Sequence, residues 1–164
     1  MNLQEHHYSA RIRWTGNRGT GTSGYRSYGR DHEVEVEGPG QLLGTADPAF
    51  HGTSDRWNPE QLLLSAVAQC HLLSYLHVAA RAGVVVTGYR DTATGTMRLN
   101  RDGSGEFTGI LLRPHVELQD PGQAALATSL HGEANRLCFI ARSVNFPVHH
   151  EPTTGPTPTE KCLP

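Results

Sequence analysis

Apolar and polar residues alternate along the first part of the chain. In residues 8–14 an apolar side chain stands at every second position, and this period of two is typical of a half-buried strand. Residues 33–37 repeat the pattern with two valines among three glutamates. We expect two strands that pair as an antiparallel hairpin across the glycine-rich segment 15–29.

The strongest helix signal follows near the middle of the chain. Asn58 is a good N-cap, Pro59 suits the first helical position, and Glu60 places a carboxylate in the first turn. Apolar residues then cover most of the helix circumference up to about residue 82, where Gly83 ends the helix. A helix that is apolar nearly all round is expected to be central and buried.

A second helix is predicted over residues 121–137, with Leu126, Leu130 and Ala134 on one stripe that Cys138 continues. Residues 38–58 are expected to be an irregular connection. Four further strands are predicted, over residues 84–89, 94–99, 106–118 and 145–150. This order of elements indicates an α+β fold, with two helices packed against antiparallel sheet. We expect one domain over residues 1–150 and a disordered Pro/Thr-rich tail over residues 151–164.

The charge balance and the apolar content narrow the class of protein. The chain has 164 residues, with 14 Lys plus Arg against 16 Asp plus Glu, so its net charge is -2. This balance gives no electrostatic basis for binding nucleic acid. Hydrophobic residues make up 37% of the chain, which predicts a modest core that a partner chain completes.

No targeting or membrane segment is evident in the sequence. The N-terminus has no apolar run, and polar residues interrupt the apolar stretch at residues 62–80. We therefore expect a cytoplasmic protein without a membrane partner. In that compartment cysteines stay reduced unless their chemistry is oxidation.

Residues 19–24 contain the spacing G-x-G-x-x-G. A dinucleotide-binding fold needs this motif between a buried strand and a helix, whereas here a predicted strand stands on each side. We interpret the segment as a flexible hairpin loop rather than a phosphate site.

Ten histidines raise the hypothesis of a metal site. The two adjacent pairs are His6-His7 and His149-His150, and neighbours on a strand point to opposite faces. The sequence contains none of the common zinc-site spacings. We expect no metal and no cofactor.

The three cysteines, Cys70, Cys138 and Cys162, are the candidate reactive groups. Cys70 and Cys138 fall on apolar faces of the two helices, where each would also fit as an inert core residue. If the helices meet at these positions, the two thiols come within reach of a disulfide. In a reducing compartment such a pair points to a redox cycle.

A reactive Cys70 needs a cation nearby, because burial alone would raise the pKa of its thiol. The candidates are Arg30, before the second strand, and Arg56, before the first helix. A buried arginine would need a carboxylate, and Glu60 is placed to supply it. Each also has an ordinary interpretation, as solvated loop charges for the arginines and as a first-turn residue for Glu60.

Two motifs together carry a family resemblance. Residues 58–63 read Asn-Pro-Glu-Gln-Leu-Leu, and Ala68-Gln69-Cys70 follows; residues 138–148 begin with a cysteine that closes the second helix before a final strand. These motifs, with Arg30 near the second strand, resemble those of the OsmC/Ohr family of peroxidases (osmotically inducible and organic hydroperoxide resistance proteins). The resemblance covers about residues 8–150.

The resemblance implies an intertwined homodimer in which the central helices pack together and both chains contribute to each active site. Cys70 would attack an organic hydroperoxide, and Cys138 would resolve the sulfenic acid as a disulfide that an external, lipoyl-linked dithiol reduces. Glu60 would hold the arginine that keeps Cys70 a thiolate. Arg30 is the first candidate for this arginine and Arg56 is the second. Cys162 lies outside the motifs and is expected to be an exposed, non-catalytic thiol.

Two other classes of protein also fit the residues. A cysteine–histidine hydrolase would pair Cys70 with His32 or His149, because His71 lies about 100° further round the helix and cannot reach Cys70. A non-enzymatic protein would bind a small ligand in the same dimer-interface pocket.

Overall fold

The computed structural model describes residues 4–156, and Cys162 lies outside them. The chain divides into two compact units, one up to Leu63 and the other from Leu64. The single domain over residues 1–150 therefore stays a prediction.

The first unit is built on a three-stranded antiparallel sheet. Its strands, in spatial order, are β1 (Arg11–Trp14), β2 (His32–Val36) and β3 (Gly40–Gly44). The predicted hairpin is confirmed, since Ile12 lies opposite Val34. β3 falls in the stretch predicted to be irregular, so that prediction is wrong for this segment. Gly38 and Gly40 take φ angles of 101° and 88°, which allow the tight turn between β2 and β3.

The glycine-rich segment is a closely packed link between β1 and β2. Gly29 N donates a hydrogen bond to Gly16 O at 2.8 Å, and Trp14 Nε1 donates to Gly29 O at 2.8 Å. A Cβ atom at position 16 would overlap the Gly29 carbonyl, so this approach requires glycine. The segment leads into β2 rather than into a helix, which agrees with a loop and not with a dinucleotide site.

The second unit joins two helices to two three-stranded sheets, and the predicted α+β class is confirmed. α1 (Pro59–Arg81) begins in the first unit, and α2 is Ala124–Leu137. The strands are β4 (Val86–Asp91), β5 (Thr94–Leu99), β6 (Gly105–Leu112), β7 (Pro114–Leu118), β8 (Val148–His150) and β9 (Thr153–Thr154). The spatial orders of the sheets are β4-β7-β9 and β5-β6-β8; β8 pairs in parallel with β6, and β9 pairs in parallel with β7.

Three elements of this unit differ from the prediction in more than their exact ends. Pro114 has no N–H to donate to a ladder, and the single strand predicted over residues 106–118 is two strands that meet there. A 3-10 turn at Pro121–Gln123 precedes α2. β9 pairs with β7 inside the stretch predicted as a disordered tail, so that prediction is wrong at Thr153–Thr154. Residues 157–164 lie outside the described residues.

α1 begins and ends as predicted. Gln61 N donates to Asn58 Oδ1 at 2.8 Å and Asn58 N donates to Gln61 Oε1 at 3.2 Å, which is a capping box. Gly83 ends the helix with a φ of 72°.

One side of α1 is buried within the second unit. Its buried residues are Val67, His71, Tyr75, Val78 and Ala79. On the other side, Leu73 is 67% exposed and Leu76 is 39% exposed. The prediction of a helix buried all round is therefore wrong for the single chain, in which α2 and the sheets cover one side. By length and composition alone, α1 also satisfies the criteria for a membrane span.

Two clusters form the core of the second unit. One joins α1 to α2 and β7 through Tyr75, Ala127 and Val116. The other joins α1 to β6 through Val67 and Leu112. α1 is common to both clusters, so the side chains on this helix are positioned by most of the unit.

Candidate active site

Cys70 lies in the middle of α1, half-buried, at the wall of an apolar cavity. The cavity has a volume of about 390 Å³. Leu73, one turn after Cys70, and Phe139, just after α2, are 67% and 79% exposed. A small apolar molecule can therefore approach Cys70 in the single chain. The lining residues are Cys70, Leu73, Ser74, His77, Leu137 and Phe139.

Cys138 directly follows α2 and is fully buried. Its Sγ accepts a hydrogen bond from Ala141 N at 3.4 Å, and the Cys70 thiol and the Ile140 backbone N–H also lie close enough to act on its pKa. Both thiols are free. The structure thus places the two cysteines that the sequence singles out against each other, in their reduced form.

The environment of Cys138 keeps its thiol protonated. Burial is the main cause that raises the pKa of Cys138 to about 11. The hydrogen bond and the charge of Cys70 also raise this pKa, whereas the hydrogen bond from the Ala141 N–H lowers it. A thiol with this pKa is a poor first nucleophile at neutral pH. Of the two cysteines, the half-exposed Cys70 is the one that meets a reagent first.

The contact between the cysteines lies where side chains of α2 pack against α1. The buried residues of α2 are Ala127, His131 and Ala134. Leu126, which the sequence places on the core-facing stripe, is instead 43% exposed, so the prediction is wrong at this position. Tyr75 OH on α1 donates to Ala127 O at 3.2 Å, so a side chain of α1 reaches the backbone of α2.

Two histidines lie at the same helix interface: His71, which the sequence analysis names only to exclude it as a partner of Cys70, and His131, which it does not name. His71 and His131 are both fully buried, and His71 Nε2 lies 3.0 Å from His131 Nδ1. Their positions carried a signal, because His71 follows Cys70 directly and His131 precedes Cys138 by two helical turns. Within residues 4–156, no group of three ligating side chains that could hold a metal ion is found.

Burial keeps this histidine pair uncharged. Burial lowers the pKa of His71 to about 4, and the charge of His150 adds to the effect. Burial also lowers the pKa of His131 to about 3, with smaller contributions from His71 and His150. Both rings are therefore neutral at physiological pH.

Arg30, the first candidate for the activating cation, lies in the first unit and is held by two tyrosines. Its guanidinium donates to Tyr28 O at 2.7 Å and to Tyr25 O at 2.9 Å. It also lies over both rings, at 4.1 Å from the Tyr28 centroid and 4.5 Å from the Tyr25 centroid. The second candidate, Arg56, has its Nε atom 3.8 Å from Asp31 Oδ1.

Glu60 occupies the first turn of α1. Its Oε2 atom is buried and has no hydrogen-bond partner among residues 4–156 of the single chain. In the part of the first unit that the structure describes, Arg30 and Arg56 bind the partners named above and not Glu60. The pairing of Glu60 with an arginine stays a prediction.

The hydrolase alternative finds no support in the described part of the second unit. There, His71 is bonded to His131, His149 is exposed on β8, and no histidine ring is hydrogen-bonded to Cys70. In the first unit, the Nδ1 atom of His32 lies 2.9 Å from Arg30 O.

Comparison with known proteins identifies the family. The profile of the OsmC-like protein family matches residues 52–153. The chain therefore belongs to the OsmC-like protein family, and the resemblance drawn from the two cysteine motifs is confirmed.

Individual relatives extend over nearly the whole chain. The uncharacterized protein YmaD of Bacillus subtilis (strain 168) is 28% identical over 148 residues, which cover 87% of this chain and 89% of YmaD. The structure of an OsmC-like protein of unknown function from Vibrio cholerae is 28% identical, with a TM-score of 0.78 over 90% of this chain and 99% of that one. An organic hydroperoxide resistance protein OsmC from Legionella pneumophila shares the fold, with 17% identity and a TM-score of 0.69 over 93% and 99% of the two chains.

The two cysteines should differ strongly in their rate of alkylation. At neutral pH we expect iodoacetamide to modify Cys70 more than about tenfold faster than Cys138, because Cys138 is buried and stays protonated. Peptide mapping by mass spectrometry separates the cysteines, and the urea-unfolded protein is the control in which the difference should vanish. Equal rates in the folded protein would contradict this account of the site.

Proposed function

We propose that this protein is a thiol-dependent peroxidase that reduces organic hydroperoxides to alcohols. The observation that carries the proposal is the contact between half-exposed Cys70 and buried Cys138. Membership of the OsmC-like family, with structural neighbours named organic hydroperoxide resistance proteins, supports a redox or stress-response role.

The reaction divides between the two thiols. The Cys70 thiolate attacks the distal oxygen of the hydroperoxide, the O–O bond breaks, and the leaving alkoxide takes a proton to become the alcohol. Cys70 is thereby oxidised to a sulfenic acid. The Cys138 thiol then attacks the Cys70 sulfur, so that a disulfide forms and water leaves. An external dithiol, which we propose to be lipoyl-linked, reduces the disulfide by exchange and is itself oxidised.

The cavity beside Cys70 supports an organic rather than an inorganic peroxide as substrate. Leu73, Leu137 and Phe139 give it apolar walls next to the reacting sulfur. Transfer of an alkyl or aryl group from water to such walls is favourable, whereas hydrogen peroxide has no apolar part to bury. No metal or cofactor enters the proposed cycle, and we propose that it runs in the cytoplasm.

We further propose that the protein works as a homodimer through the open side of α1. Leu73 and Leu76 present apolar surface there, which a second copy would remove from water. In the dimer an arginine would pair with Glu60 and stabilise the Cys70 thiolate, with Arg30 as the first candidate and Arg56 as the second. The buried, unpartnered Oε2 atom of Glu60 supports this pairing, because a buried carboxylate needs a donor or a cation.

A protein that binds a small ligand without turning it over is the second candidate. The observation that favours it is the apolar cavity itself, which fits a ligand whether or not Cys70 reacts.

The peroxidase reaction should depend on Cys70. With cumene hydroperoxide and dihydrolipoamide, the wild-type protein should consume the hydroperoxide continuously, and Cys70→Ser should abolish this turnover because the attacking sulfur is lost. Cys138→Ser should accumulate a Cys70 sulfenic acid that a dimedone probe traps. Cys162→Ser is the matched control and should keep full turnover.

Two results would contradict the peroxidase. One is turnover that survives Cys70→Ser. The other is saturable binding of the hydroperoxide by the wild type without turnover with any dithiol, which would favour the ligand-binding alternative.

The dimer should depend on the open side of α1. In sedimentation velocity we expect the wild type to be a dimer and Leu73→Glu to be a monomer, because the variant places a charge in the proposed apolar interface. Leu99→Glu, at a residue that is 55% exposed on β5, should stay dimeric, and circular dichroism checks that both variants fold. A monomeric wild type, or a dimer that Leu73→Glu leaves intact, would overturn the proposal.

A further inference from the structure

The helices α1 and α2 are joined by two side-chain pairs, one of thiols and one of imidazoles. Cys70 meets Cys138, and His71 Nε2 lies 3.0 Å from His131 Nδ1. Cys70 and His71 lie on α1, His131 lies on α2, and Cys138 directly follows α2. Both pairs therefore depend on how α2 packs against α1.

Among the described residues, no carboxylate acts on the imidazole pair. The Tyr75 ring stacks on His131 with centroids 4.0 Å apart, and the His150 ring on β8 lies 5.7 Å from His71 and 6.1 Å from His131. Tyr89 on β4 lies behind Tyr75, at 5.8 Å between centroids. Among the described residues, the groups whose charge acts on the two rings are imidazoles, all of the same sign when protonated. Asp91 acts on Tyr89 instead.

The unused ring nitrogens make the pair sensitive to added protons. His71 Nδ1 and His131 Nε2 are buried and have no hydrogen-bond partner among residues 4–156. With both rings neutral, one ring donates a proton to the other across the 3.0 Å contact. A further proton places a charge on a buried ring that has no carboxylate partner among residues 4–156, and a second proton removes the acceptor of the bond.

We propose that His71 and His131 are positioning residues which, while uncharged, hold α2 against α1 and so keep Cys138 in contact with Cys70. Acidification then uncouples formation of the disulfide from oxidation of Cys70. The inference rests on the cysteine pair of the proposed function, but its test does not require peroxidase activity.

The test measures the fraction of chains that carry a Cys70–Cys138 disulfide after treatment with diamide. Diamide takes two electrons and two protons from the two thiols, which become the disulfide while diamide becomes the hydrazine. Non-reducing peptide mapping reads the yield at pH values from neutral to acidic. The measurement uses the full chain, and circular dichroism at each pH confirms that it is folded.

The central variant keeps the hydrogen bond and removes the titration. The amide of Gln reaches the position of an imidazole Nε2, and the shorter Asn reaches that of Nδ1, so His71→Gln combined with His131→Asn preserves a neutral contact. His71→Leu breaks the contact at every pH. His149→Gln, at an exposed position next to His150 on the same strand, is the matched control.

At neutral pH the wild type, the control and the amide double variant should form the disulfide equally, and His71→Leu should form less. Near pH 4, where about half of the His71 rings become protonated, the wild type and the control should fall by up to about twofold below the double variant. Acid also lowers the disulfide yield by protonating the thiols, but this loss is common to all the proteins. The ratio of the wild-type yield to the double-variant yield at the same pH therefore removes it.

Parallel pH profiles for the wild type and the double variant would overturn the inference. So would a His71 or His131 ring that titrates near its ordinary pKa in the folded protein, as read from imidazole proton resonances in NMR. A protein that shows the expected diamide behaviour but no hydroperoxide turnover would keep this inference and lose the proposed function. A protein that turns over hydroperoxides but lacks the expected diamide behaviour would keep the proposed function and lose this inference.

Discussion

The contact between α1 and α2 is the constraint on which the rest of the second unit depends. The two helices meet through side chains: Tyr75 OH on α1 reaches across to Ala127 O at 3.2 Å, and His71 Nε2 lies 3.0 Å from His131 Nδ1. Both the thiol pair and the imidazole pair depend on this packing. The chemistry proposed for Cys70 is therefore a property of helix packing as much as of the cysteine itself.

Burial at this contact acts on acids and bases in opposite directions, with one result. It raises the pKa of the Cys138 thiol to about 11 and lowers the pKa values of His71 and His131 to about 4 and 3. In each case the neutral form is favoured, because a low dielectric penalises charge of either sign. The interface is thus suited to a resolving thiol, which reacts second. The attacking thiol lies at its edge, where α1 opens on the apolar cavity.

The sequence was most informative where local physics decides the structure. The capping residues of α1, its terminal glycine and the alternation in β2 predicted those elements correctly, because each depends on near neighbours. The pattern failed where distant packing decides: Leu126 faces outward since α2 turns its alanines to α1, and β9 forms because β7 offers an edge. The cysteines were found through their motifs. The histidine pair was not predicted, because the positions of His71 and His131 near the two cysteines in the sequence do not show that their rings meet across two helices. An arginine for Glu60 is still a matter of prediction, since the single chain gives Arg30 and Arg56 other partners.

We propose above all that Cys70 and Cys138 of one chain form a disulfide, and that the fold brings the two thiols together before they are oxidised. A crystal structure of the protein after treatment with an organic hydroperoxide tests this most directly. The account predicts a bond between these two sulfurs, with α1 and α2 packed as in the reduced protein. A Cys70 that remains a sulfenic acid beside a free Cys138, or that is bonded to Cys162, would contradict it.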